Sequence, residues 1–157
     1  MANTQAGTCH WREDGDSASA EGTYVDGYGP DGAVDVRHRR QVIYHKSEDA
    51  FTIADELSGN GEADLWLHWQ VPAAAAISVT GEAIAVRAGS RALHRTFHAD
   101  PDLEISQFEG QQDPPLGWFS EHYGHLESAP LIRVAVSGTL PLRITTRLAV
   151  ERLDLTE

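Results

Sequence analysis

Eight histidines in 157 residues raise the question of a metal centre. Zinc takes three or four His, Cys or carboxylate ligands in tetrahedral reach. His94 and His98 are four apart, and His122 and His125 are three apart. The stretch Arg91 to His98 reads as extended, and strand positions four apart lie about 13 Å from each other, too far to share an ion. The chain contains no His-x-His, so a cupin-like ligand set is missing as well. No metal and no cofactor are expected. Ser120 with His122 or His125 has the residue types of a hydrolytic triad, but the Gly-x-Ser-x-Gly elbow is absent. Gly27, Gly29 and Gly32 match G-x-G-x-x-G. A dinucleotide site needs a helix after that pattern, whereas here Pro30 sits inside it and a strand-like run follows.

Two clusters suit binding rather than turnover. Arg37, His38, Arg39 and Arg40 are consecutive in an otherwise acidic chain. On a strand, Arg37 and Arg39 share one face and His38 and Arg40 the other. A guanidinium forks onto a carboxylate, so Arg37 and Arg39 are candidate contacts for an acidic ligand. Pairing with Asp and Glu on neighbouring strands is the competing use of the same charges. Arg40 is read as a structural fork onto Asp55. Trp118, His122 and Tyr123 form the second cluster, in a loop-like segment where rings can stack on sugars. Their competing use is to close the end of the fold, with Trp118 packed inward and Tyr123 bonded to backbone.

The elements that position these residues read as strands. Between His38 and Pro72, Ser58-Gly59-Asn60-Gly61 breaks the chain where a turn needs positive φ. After it, Leu65, Leu67, Trp69 and Val71 alternate with Trp66, His68 and Gln70. A hairpin turning at Ser58–Gly61 is therefore expected at the centre of an antiparallel sheet. Trp66 and Trp69 fall on opposite faces, and Trp69 is assigned to the core. Further strands are expected over Val34 to His45, around Ile77-Val79 and Ile84-Val86, and over Arg91 to His98, Leu103 to Phe108, Leu131 to Val136 and Leu142 to Val150. Helical periodicity is missing over any useful length. Short strands at this spacing imply an all-β antiparallel sandwich, a single domain over 23–157 behind an irregular lead-in, 1–22.

Composition narrows the partners. Twenty-four acidic against twelve basic residues give a formal net charge of −12. That charge argues against nucleic acid or an anionic membrane as the main partner. Cys9 is the only cysteine, so an intrachain disulfide cannot form. The N-terminus lacks the basic and apolar regions of a signal peptide, and the longest apolar run, near Val71 to Val79, is too short to span a bilayer. The compartment stays undetermined.

An ordered set of motifs resembles the C-terminal β region of the heparinase II/III family of polysaccharide lyases. The set comprises Asp26-Gly27-Tyr28, then Val36-x-His38-Arg39-Arg40-x-Val42, Ile53-Ala54-Asp55-Glu56-Leu57-x-Gly59 and Trp66-Leu67-His68. Gly117-Trp118-x-Ser120-x-x-Tyr123-Gly124 and Pro130 complete it. The resemblance implies a β-sandwich packed on an N-terminal α/α toroid, in an enzyme that cleaves uronate polysaccharides by β-elimination. It also implies that the catalytic tyrosine and histidine belong to the toroid, and that any metal ligands precede the matched part. The chain then has no catalytic residue of its own, is inactive alone and lines the substrate cleft. Relatives often carry a histidine soon after the hairpin glycines, where this chain has Ala63-Asp64. The runner-up role is a stand-alone carbohydrate-binding module, and a third is a structural or oligomer-forming domain.

Overall fold

The computed structural model describes residues 9–28, 35–100 and 102–152. Within them the chain forms strands β1 (His10–Glu13), β2 (Ser17–Tyr24), β3 (Val36–His45), β4 (Ala50–Gly59), β5 (Glu62–Gln70), β6 (Ala76–Thr80) and β7 (Ala83–Ala88). There follow β8 (Arg91–Asp100), β9 (Leu103–Phe108), β10 (Trp118–Phe119), β11 (Glu127–Ser128), β12 (Leu131–Thr139) and β13 (Leu142–Arg152). All pairings are antiparallel, and the fold is an all-β sandwich.

Its two layers are unequal. One is an eight-stranded sheet in the order β1-β2-β3-β4-β13-β8-β7-β6, and the other is a three-stranded sheet, β5-β12-β9. β10 and β11 form a separate short ribbon. The last strand, β13, lies in the middle of the large sheet between β4 and β8. Alternation drives the layering. Leu142, Ile144 and Thr146 of β13 are buried on one face, while Arg143 and Arg147 of the other face are exposed. Ile132, Val134 and Val136 of β12 oppose them, and Leu57, Leu67, Val71, Ile84, Val86 and Phe97 fill the layer between the sheets. At about 25 cal/mol per Å² of apolar area, this cluster is the dominant stabilising term.

Two expectations are corrected. The turn at Ser58–Gly61 is not a hairpin, because β4 belongs to the large sheet and β5 to the small one. Gly61, at φ 89°, carries the chain across the sandwich. The hairpin partner of β4 is β3, joined through Lys46–Asp49, with Asp49 taking the left-handed conformation at φ 47°. The short side chain of aspartate tolerates that conformation, so the turn forms without glycine. The lead-in is also more regular than expected. Ser17–Tyr24 pairs along β3, and His10–Glu13 adds the edge strand. Small residues in Ser-Ala-Ser-Ala-Glu-Gly-Thr give no apolar alternation to read, and main-chain hydrogen bonds hold them. Residues 1–8 lie outside the described residues, as do Gly29 and Gly32 of the glycine pattern.

Candidate functional site

The inner face of β3 carries Val36, His38, Arg40, Val42 and Tyr44, in register with Gly59, Leu57, Asp55, Ile53 and Phe51 of β4. Asp55 therefore stands directly opposite Arg40 on the buried side of the sheet, and it is 1% exposed. Such a carboxylate must be paired, because an isolated buried charge is costly. The Arg40 guanidinium donates to it twice, Nε to Oδ1 at 2.6 Å and Nη2 to Oδ2 at 3.0 Å. His38 Nε2 lies 2.7 Å from Oδ1. The other ring nitrogen, Nδ1, is 2.5 Å from the hydroxyl of Tyr28. The tyrosine is delivered by Gly27, at φ 74°, and its ring also meets Tyr24 at 5.4 Å between centroids.

The charges are consistent with that geometry. Burial is the largest influence on Asp55 and pushes its carboxyl up, but the hydrogen bonds from His38 and Arg40 together outweigh it and hold the pKa below the ordinary value. The Arg40 pKa is raised by the same bond to Asp55. Burial, then the Asp55 charge, raises the Tyr28 phenol. Asp55 accepts from His38 Nε2–H, leaving Nδ1 to accept from the phenol. A carboxylate that fixes an imidazole tautomer while the imidazole accepts from a hydroxyl can pass a proton along the line.

These four residues form one wall of a cavity of about 760 Å³. Val36 and Leu57 continue that wall, and β5 supplies the opposite one, from Glu62 to Trp69. Among the described residues β5 pairs only with β12, so its other edge borders the cavity. On the outer face of β5, the Arg133 guanidinium lies 4.7 Å from the Trp66 ring and 4.6 Å from the Phe108 ring. Its Nε donates to His68 Nε2 at 3.1 Å. Burial, then the Arg133 charge, lowers the His68 pKa, which keeps the ring a neutral acceptor.

The expected site residues are not brought together. Arg37 and Arg39 lie on the outer face of the large sheet, away from the cavity. Arg39 is held by Glu21 at 2.7 Å and Glu56 at 3.3 Å. Trp118 is half-buried in the β10–β11 ribbon, where its indole N–H donates to the Gln111 carbonyl at 2.7 Å. His122 and Tyr123 are exposed in the following turn, and the His122 ring stacks on His125 at 5.0 Å. His94 lies 2.7 Å from Glu151. Among the described residues no three His, Cys, Asp or Glu gather as metal ligands. Tyr28 and His38 were missed as site residues. Alternation puts His38 beside Arg40, but no sequence signal joins Tyr28 to either.

Comparison with known proteins covers nearly the whole chain. The family described as heparinase II/III-like, C-terminal, matches residues 2–149. The fold resembles a heparinase III, the BT4657 gene product, with a TM-score of 0.73 and 16% identity over 93% of this chain and 22% of that one. It also resembles the heparan sulfate lyase HepC of Pedobacter heparinus, with a TM-score of 0.73 and 15% identity over 99% of this chain and 23% of that one. The chain thus spans less than a quarter of the length of these proteins. No curated protein sequence matches. With the family model covering residues 2–149, the chain belongs to the heparinase II/III-like C-terminal family.

Proposed function

We propose that this domain is the non-catalytic sandwich of a polysaccharide lyase that breaks uronate-containing chains by β-elimination. It packs on an N-terminal domain and walls one side of the substrate cleft. The observation that carries this reading is the match of nearly the whole chain to a fraction of two longer proteins, a heparinase III and a heparan sulfate lyase. The cavity between β3, β4 and β5 is the part of the wall best suited to sugar. Its lining includes Arg40, His38, Tyr28 and Trp66. β-Elimination needs a neutralised carboxylate, a base and an acid around one sugar. Arg40 and His38 are already engaged by Asp55, which suits holding a wall in shape.

The test is an elimination assay that follows the ultraviolet absorbance of the unsaturated uronate. The 157-residue chain is expected to give no product from heparan sulfate, while the protein that includes the N-terminal polypeptide is active. Product formation by the chain alone overturns the non-catalytic assignment. Unchanged KM and kcat on Trp66→Ala in the active protein overturn the cleft-lining role.

A further inference from the structure

The two sheets differ by five strands, so among the described residues part of the large sheet's inner face has no layer above it. Burial along that face decays steadily. On β13, Thr146 is fully buried, Leu148 half-buried and Val150 44% exposed. On β4, Asp55 is buried, Ile53 half-buried and Phe51 39% exposed. Val42 and Tyr44 continue the surface on β3, with Tyr44 stacked on Phe51 at 4.7 Å. Trp11 of β1, in register with Ala20 and hence with Val42, is 65% exposed. Contiguous aromatic and aliphatic side chains on a sheet face mark a surface that another layer covers.

One feature says what that layer carries. The buried side-chain polar atoms without a partner, among the described residues, are Trp69 Nε1, Arg95 Nε, Arg95 Nη1 and Thr146 Oγ1. All four are at one place. Arg95 pairs in register with Leu148, and Thr146 is its diagonal neighbour on β13. The Arg95 guanidinium lies 4.9 Å from the Trp69 ring. Arg95 is 7% exposed, at the border where the covered core gives way to the open face. Burial lowers its pKa, with no acceptor among the described residues to oppose that effect. A buried guanidinium with unmade bonds is strongly unfavourable unless a carboxylate meets it; the indole N–H beside it can only donate, and the Thr146 hydroxyl makes no bond to it.

We propose that the open inner face receives a segment of the N-terminal polypeptide that is apolar and carries one aspartate or glutamate, whose carboxylate closes on Arg95. The inference rests on the packing proposed above, and it names the surface and the chemistry of the contact. A polypeptide layer suits the face better than sugar, since Val42, Phe51, Ile53, Leu148 and Val150 offer no hydrogen bonds.

Two variants test it, Arg95→Met and the exposed Phe51→Asn. Each is measured in the 157-residue chain and in binding of that chain to the N-terminal polypeptide. In the chain alone, Arg95→Met is expected to raise the melting temperature, because it removes an unpaired buried charge. In binding, both variants are expected to weaken association at least tenfold. A lower melting temperature for Arg95→Met shows that the guanidinium has an acceptor inside this chain and overturns the proposal. Binding unchanged by both variants overturns the docking face alone, and loss with Phe51→Asn only overturns the carboxylate contact. Failure of the wild-type chain to bind at all removes the packing proposal itself. A dimer of the chain that Phe51→Asn dissolves also overturns this inference, because the face would then serve self-association.

Discussion

Asp55 holds two side chains, Arg40 and His38, with one carboxylate, and its removal should be felt at once. In Asp55→Asn the fork from Arg40 and the bond from His38 lose their charged acceptor, while the site stays closed. Hydrogen bonds to a charged group are worth about 1.5–3 kcal/mol each, and Arg40 recovers part of this through water. We expect roughly 2–3 kcal/mol of destabilisation by urea unfolding. The folded carboxyl is depressed below its ordinary 3.8. The stability that it lends is therefore fully present above the unfolded value and is lost as the pH falls through the folded one. The wild type should lose stability as the pH falls below about 4, and the variant should lose less there. The two tryptophans of β5 make a second contrast. Trp69 packs on the core with Phe97 at 6.3 Å, so Trp69→Ala should cost about 3 kcal/mol. Trp66 is 58% exposed, so Trp66→Ala should change stability by no more than about 0.5 kcal/mol. Alternation alone separates these two rings. It cannot place Tyr28, whose contact with His38 depends on how the chain returns after Gly27.

At the level of elements, the sequence signals name strands better than partners. Leu65, Leu67, Trp69 and Val71 do face inward on β5 and its exit, as their spacing requires. The glycines before them mark a change of direction, and a change of direction serves a hairpin and a crossing between sheets equally. The true β3–β4 turn contains no glycine, so the stronger local signal pointed at the wrong pair. The strands β1 and β2 were illegible for a different reason, since they bury little and main-chain bonds carry them. Gly117 in the Gly-Trp motif has a role that a conservative change exposes. It adopts φ 73°, and a Cβ there would come within 2.6 Å of the Glu109 Cα. Gly117→Ala should destabilise by about 1–3 kcal/mol through backbone displacement, lowering the urea midpoint with the slope unchanged.

Across the whole molecule, the charge and the unequal layers matter most. Twelve more acidic than basic groups repel one another over a surface whose ion pairs, such as Arg39–Glu21 and Lys46–Glu13, are few and exposed. Screening that repulsion should raise the melting temperature by a few degrees as sodium chloride goes from about 10 to 150 mM, where the Debye length shrinks from roughly 30 to 8 Å. A falling melting temperature would mean that the local pairs outweigh the net repulsion. The class of fold was legible because period-two alternation recurs along the chain. The mismatch of eight strands against three was not, since it arises from which strands pair at long range. The position of β13 has a consequence for biosynthesis. The strand that joins β4 to β8 follows both of them in the sequence, so neither half of the large sheet is a finished unit until β13 has been made. Until Arg152 has emerged, β4 and β8 each keep one unpaired edge. A truncation before Leu142 should leave two unjoined halves that aggregate.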